Sequence, residues 1–413
     1  MGESDRLRYK AQPMTAITAD TPRATDTRII TLVSAAHFVS HYYILILPPL
    51  FLLIRAEFGV SYVELGIALT AFNVISAVMQ TPAGFLVDRV SARAVLVGGL
   101  ALGAAALAVA SLSPSFWLFV AMFAVLGLAN TVYHPADYAL LSHRVSTARM
   151  SKAYSIHTFS GILGSAIAPA TLLFLADRFG WRGAFLGAAL LGFAVAALLM
   201  VMGDVLAGRD EPAAKPKAEE KPAETSRSLL LSTPILLNLV FFFMLSLSNG
   251  GVQNYAVVAL ESLRGTSLTV GNLALSLYLL ASALGVLIGG YAASRTARHD
   301  GIVVAMLTGN AVAVLGLAVF DLAPLVLMLV MGAAGLFQGI AMPSRDMLVR
   351  AVTPPGSFGK VFGFVTTGFN IAGMVAPLIF GLMMDQGHPQ AVFFASALFA
   401  LATIPTVLGV TRR

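Results

Sequence analysis

The chain has 413 residues, of which 58% are hydrophobic and only 11% charged. Soluble domains carry about 25% charged residues, so this composition excludes an ordinary water-soluble globule. There is no cysteine, which excludes disulfides, thiolate metal sites and cysteine nucleophiles. The formal net charge of +6 would suit nucleic acid, but the positions of the basic residues give it another meaning.

Residues 1–28 are polar and lack an apolar core followed by a small-residue cleavage site, so they read as a cytoplasmic tail. A bilayer core of about 30 Å needs about 20 apolar residues per helix. Such stretches fall near 29–54, 61–87, 93–112, 115–142, 150–176 and 181–205, and again near 232–260, 268–294, 301–321, 324–350, 357–385 and 389–410. Between the sixes, 206–231 contains "GRDEPAAKPKAEEKPAETSRS", a charged, Pro- and Ala-rich run that cannot cross lipid and reads as a cytoplasmic linker. Residues 411–413 form a short tail. The expected fold is an all-α integral membrane protein of 12 transmembrane helices, arranged as six-helix bundles at 29–205 and 232–410.

Span 1 places His37 and His41 four residues apart on one helical face, followed by Tyr42, Tyr43 and a kink at Pro48-Pro49. Span 4 contains "VYHPADYALL", which sets Tyr133, His134, Asp137 and Tyr138 around Pro135. Either the helix ends there, or an imidazole and a carboxylate lie within the bilayer. Span 5 adds Tyr154, His157 and Phe159, then Gly161, Gly164 and Pro169. At 1.5 Å per residue the four histidines and Asp137 fall into one slab toward the cytoplasmic side. Ionisable groups are expensive in lipid and mark function by default. Histidine titrates near pH 6.5, so the cluster reads as a proton site. Asp137 is the carboxylate in the middle of an N-terminal span, and it is assigned the coupling proton with His41 and His134 as partners. His37 and His157 are placed at the cytoplasmic mouth, where they meet substrate.

Span 7 carries "SLSNGGVQNY", with Asn249, Gly250, Gly251, Gln253 and Asn254. Two glycines beside amides suggest a broken helix whose freed backbone faces a cavity. Span 10 carries Phe337, Gln338 and then "MPSRDMLVR", in which Arg345 is adjacent to Asp346. Arg345 reads as the contact for an anionic substrate group, or as a partner of Asp137 across the halves; local pairing with Asp346 is the alternative. Asn370 on span 11 completes the candidate cavity residues.

Orientation follows the basic residues. With the N-terminus inside, the tails, linker and even-numbered span exits hold 21 of the 26 Lys and Arg. The outer loops hold Arg55, Arg178, Arg182 and Arg264, while Arg345 lies within a span. Both termini are therefore expected in the cytoplasm, and the positive charge is a topology signal. The two halves also repeat. A shift of 208 pairs Gly127 with Gly335, Pro135 with Pro343, Lys152 with Lys360, Ala168-Pro169 with Ala376-Pro377, and Asp177 with Asp385. Parallel repeats of six helices suit a rocking-bundle transporter with its site at the repeat interface.

The loop "GFLVDRVSAR" matches the G-x-L-x-D-R-x-G-R-R motif of the major facilitator superfamily at Gly84, Leu86, Asp88, Arg89 and Arg93, with Ser91 in place of the second glycine. The resemblance covers nearly the whole chain and implies a cytoplasmic latch built from Asp88 and Arg89. More narrowly, "HFVSHYYILILPPLFLLIRAEFGVSYVELG", "YHPADYALLS" and "SIHTFSGILGSAIAP" resemble the fosmidomycin-resistance type of efflux protein. Span 5 is partly similar to the glycine-proline motif of antiporters, and its small residues permit close helix packing whatever the direction of transport. The resemblance implies a monomeric, proton-coupled exporter of a small amphipathic or anionic compound in the bacterial inner membrane, without cofactor or resident metal. The alternatives are a proton-coupled importer and a carrier that takes a divalent metal or metal chelate at the His/Asp cluster, a donor set suited to such ions. With no nucleophile-base set at depth, an enzyme is not expected.

Overall fold

The computed structural model describes residues 22–146, 149–206, 228–354 and 357–411; the N-terminal tail to 21 and most of the linker lie outside them. The described chain is helical and without strands. Its helices are α1 (Pro22–Ile44), α2 (Phe51–Phe58), α3 (Tyr62–Arg89), α4 (Ala92–Ser111), α5 (Phe116–Asn130), α6 (Tyr133–Arg144), α7 (Met150–Met202), α8 (Thr233–Arg264), α9 (Leu268–Ser294), α10 (His299–Val319), α11 (Pro324–Ala351), α12 (Phe358–Asp385) and α13 (Pro389–Thr411).

Eleven stretches among the described residues are long and apolar enough to cross a membrane. One of them is two helices. Helix α7 turns at Gly180, whose φ of 69° and ψ of 171° break the helix, a conformation that favours glycine. The twelve spans expected from the sequence are therefore present. Span 1 comprises α1, a 3₁₀ turn at Pro48–Leu50 and α2. Span 4 comprises α5 and α6, and spans 5 and 6 are the two arms of α7. Span 1 starts at Pro22, inside the stretch expected to be tail.

Two expectations about helix breaks meet different fates. The helix does not end at "VYHPADYALL": Pro135, which has no N–H to donate, leaves only a short turn at 131–132, and α6 runs on to Arg144. Span 7, expected to be broken at Gly250-Gly251, is one continuous helix from Thr233 to Arg264. A Cβ at Gly251 would lie 2.1 Å from Ser396 Oγ and 2.6 Å from the Phe380 ring, and one at Gly250 would lie 2.9 Å from Ala376. The pair makes room for spans 11 and 12 rather than opening the backbone.

Even numbers of crossings bring both described ends, near 22 and 411, to one end of the bundle, called terminal below; the other is distal. Inside each half the spans pack against one another, and the halves meet along two seams, span 2 against span 11 and span 5 against span 8. One apolar core runs through the N-terminal half and into the distal part of the C-terminal half, from Phe51 and Trp181 to Tyr255, Phe380 and Phe393. The terminal part of the C-terminal half has its own core, with Phe242, Val303, Leu307, Val349 and Val365. The halves are thus joined distally and hold separate cores at the terminal end. Since lipid is as apolar as leucine, the joining rests on close packing and hydrogen bonds.

Candidate functional site

Spans 1, 4 and 5 converge on the Asp137 carboxylate, whose residue is wholly buried. Small residues bring the helices together. A Cβ at Gly164 would lie 2.2 Å from the Phe38 carbonyl oxygen, and one at Gly161 would lie 2.7 Å from the His37 ring and 2.9 Å from that of His41. Glycine at both positions lets span 5 lie directly on the histidine face of span 1. The result is a stack: the His37 and His157 rings lie 3.7 Å apart at 20°.

His157 Nε2 is hydrogen-bonded to Asp137 Oδ2 at 3.0 Å, and His37 Nδ1 stands 3.3 Å from the same oxygen. His37 and His157 are themselves buried. Asp137 Oδ1, His37 Nδ1 and His157 Nδ1 have no hydrogen-bond partner, an expensive arrangement in a low-dielectric interior. The expected partners of Asp137, His41 and His134, stand one layer away. The His41 ring is 4.6 Å from His37 and its Nδ1 is 3.4 Å from Ser165 Oγ. His134 is exposed, its ring 5.2 Å from that of His37. The reason is rotational: on α6 the i, i+3 pair shares a face, but the close approach of span 5 brings His157 to the carboxylate first.

A file of rings leads away from this core. Tyr138, 46% exposed, lies 5.6 Å from the His157 ring, 6.0 Å from His134 and 5.4 Å from Tyr154. Tyr154 in turn lines a cavity of about 250 Å³ between spans 5 and 8, with Thr158, Phe159, Val286 and Leu287. The buried carboxylate therefore connects to the space between the halves through polar rings. Tyr133 is buried, its hydroxyl unpartnered. Tyr43 donates to the Ala188 carbonyl, and Tyr42 is hydrogen-bonded to Thr171.

His37, His157 and Asp137 offer two imidazole nitrogens and a carboxylate oxygen within 4.8 Å of one another, the donor set of a divalent transition metal. One hydrogen bond, from His157, and one close approach, from His37, converge on a single oxygen of Asp137.

In the C-terminal half, Arg345 does not reach Asp137. Its Nε and Nη2 donate to Asp346 Oδ1 at 2.9 and 2.8 Å. Its guanidinium carbon lies 4.7 Å from the Phe242 ring centroid and 5.5 Å from that of Phe369, contacts favoured by the ring quadrupole. Nη1 is buried and unpartnered. The arginine side chain is long enough to bridge the 100° between adjacent positions, so the neighbour wins over the partner across the halves. Gln338 is buried with neither amide atom partnered, Phe337 packs on Gly309, and Asn370 is exposed. Asn249 accepts from the Tyr278 hydroxyl at 3.3 Å, while Gln253 and Asn254 are half-buried.

At the loop between spans 2 and 3, Gly84 has open space where a Cβ would stand and Arg89 is exposed. The Asp88 side chain lies outside what is described. Arg93 turns away from the latch and donates to the Leu199 and Met200 carbonyls at the end of span 6, satisfying carbonyls that a helix end leaves free. Pro169 lies within span 5.

Twelve spans in two repeated halves that meet along two seams, with a buried ionisable cluster inside one half, define a membrane carrier. The sequence model for the Major Facilitator Superfamily matches residues 33–261 and 239–413, and the chain belongs to that family. It is a multi-pass membrane protein and a secondary transporter, not an enzyme. It is 26% identical to the fosmidomycin resistance protein of Escherichia coli K12, over 96% of each chain. It is 25% identical to the multi-drug resistance efflux pump PmrA of Streptococcus pneumoniae, covering 82% of this chain and 83% of that one. Among solved structures, a bacterial homologue of the human lysosomal transporter Spinster, in an inward-facing and occupied conformation, superposes with a TM-score of 0.78 at 12% identity, over 95% of this chain and 98% of that one. The nucleoside transporter NupG, as a D323A mutant, gives 0.75 at 14% identity, over 94% of this chain and all of that one. These likenesses show the fold.

Proposed function

We propose that the protein is a proton-coupled exporter of a small anionic or amphipathic compound, working as a monomer in the bacterial inner membrane with both termini in the cytoplasm. The observation that carries this reading is Asp137, a carboxylate wholly buried between spans 1, 4 and 5 with imidazole nitrogens 3.0 and 3.3 Å from one oxygen. A group so placed is held cheaply only when a proton is shared among its members, and it changes charge when that proton leaves. Tyr138 and Tyr154 give protons a path from the inter-half space. Arg345, packed against the paired Phe242 and Phe369 rings and with one free edge, supplies the contact for a substrate anion. The latch role of Gly84, Asp88 and Arg89 and the cavity roles of Tyr133, His37, Gln338 and the span 7 amides belong to the same reading. The distally joined halves match a cytoplasm-facing state. Export rather than uptake is favoured by relatives named for drug resistance.

The test uses proteoliposomes and radiolabelled fosmidomycin, the compound for which one relative is named. An imposed pH gradient drives its uphill movement in the wild type. Asp137→Asn is expected to lower that accumulation by about 100-fold, the upper range of a typical coupling free energy, while leaving downhill exchange. Wild-type accumulation in the variant would remove Asp137 from the mechanism.

A further inference from the structure

The two seams between the halves are related by the repeat, yet among the described residues one is hydrogen-bonded at its distal end and the other is not. Along the seam of spans 2 and 11, Asp385, the last residue of span 11, reaches across to the start of span 2. Its carboxylate oxygens accept from the backbone N–H groups of Tyr62 and Val63, each at 2.8 Å. A helix begins with N–H groups that lack intrahelical partners. Here Ser61 Oγ accepts from Glu64 N and Glu64 in return accepts from Ser61 N, so the half itself satisfies two of the four donors. The remaining two donors are met by the other half of the molecule.

The rest of this seam is tight. Thr70 donates to the Met374 carbonyl at 2.9 Å. A Cβ at Gly66 would lie 2.6 Å from the Pro377 carbonyl oxygen, one at Gly381 would lie 2.8 Å from that of Tyr62, and one at Gly373 would lie 2.9 Å from Asn73. The sister seam differs. Asp177, which the 208-residue shift pairs with Asp385, has a side chain 78% exposed, and its ion pair is with the adjacent Arg178 at 3.7 Å. It shares a cavity of about 570 Å³ with Leu268, Thr269 and Asn272 at the start of span 8. There the helix start is capped by its own Ser267, which accepts from Val270 N.

We infer that Asp385 is the distal gate residue of the transport cycle, an inter-half cap on span 2 that must be released each time the distal end opens. A carboxylate at a helix N-terminus gains from both the free N–H groups and the helix dipole. Opening the seam returns two donors and one charge to solvent, so the contact weights the equilibrium toward the distally closed state. Its sister Asp177 carries no such weight in this conformation. The gate is opposite in the membrane to the loop between spans 2 and 3.

Absence of native cysteine makes spin labelling direct. Leu112→Cys and Asp321→Cys place nitroxides on exposed distal loops of opposite halves, and pulsed electron spin resonance on the full chain in nanodiscs reads their separation. The wild type is expected to show mainly the short distance. Asp385→Ala should raise the ratio of long to short by roughly tenfold, the order expected for a favourable helix-terminus charge. Asp385→Asn, whose amide oxygen still accepts one N–H bond, should give a smaller rise, and it decides the matter should the alanine variant fail to fold. Asp177→Ala should leave the distribution unchanged. Wild-type distributions in both Asp385 variants, or an equal shift from Asp177→Ala, would overturn the inference. The readout needs neither a proton gradient nor a substrate, so it stands or falls separately from the role of Asp137.

Discussion

The repeat sets two segments side by side: "VYHPADYALL" in span 4 and "IAMPSRDMLV" in span 10. Both put proline inside a helix at the same repeat position, Pro135 and Pro343. Around that common scaffold the chemistry diverges. Span 4 buries a carboxylate and meets it with imidazoles from two other helices, the group proposed above to carry the proton. Span 10 carries a guanidinium that stays charged at any physiological pH, paired to its neighbour and packed against two touching aromatic rings. The repeat presents one frame twice, and on the proposed reading the side chains separate a proton-binding half from a permanently cationic one.

That contrast can be broken at either side. On the cationic side, Arg345→Ala is expected to weaken anionic compounds by roughly 30-fold, the worth of a charged hydrogen bond, and neutral compounds far less; competition assays over a charge series read this, and equal losses would leave Arg345 a packing residue. On the titrating side, His157→Ala removes the hydrogen bond at 3.0 Å from Asp137 and is expected to cost gradient-driven flux about tenfold. His134→Ala, exposed and one layer out, should cost less. If the two variants rank the other way, the proton is handed over at His134. The smallest effect is structural. Gly161→Ala pushes a Cβ into the His37 ring, an overpacking cost of about 1–3 kcal/mol against about 1 kcal/mol gained in helix propensity. Thermal unfolding in detergent is expected to fall by roughly 1–2 °C; an unchanged midpoint would mean that the span 1–span 5 contact yields easily.

Much of this architecture is legible in the sequence because the bilayer enforces simple rules: apolar length gives the spans, basic residues give the expected sidedness, and the 208-residue shift gives the repeat. The slab holding His37, His41, His134, Asp137 and His157 follows from rise per residue alone. Which imidazoles touch the carboxylate does not, because that depends on how far Gly161 and Gly164 let span 5 approach span 1. Gly250-Gly251 misled for a related reason. Glycine serves both to break helices and to admit neighbours, and only the positions of Phe380, Ala376 and Ser396 tell the two apart. For Arg345 the sequence left open a substrate anion, Asp137 across the halves and Asp346 beside it, and side-chain reach favours Asp346. The cap from Asp385 to span 2 joins residues more than 320 positions apart, and no local pattern announces it.

The central claim is that Asp137 gains and loses a proton inside the protein. Difference infrared spectroscopy of the purified full chain through a pH titration reads this directly, since a buried carboxylic acid has its own carbonyl stretch. The account predicts a titrating buried-carboxyl band that disappears in Asp137→Asn and shifts in His157→Ala, where its hydrogen-bond partner is gone. A band that persists unchanged in Asp137→Asn, or no titrating buried carboxyl in the wild type, would contradict it.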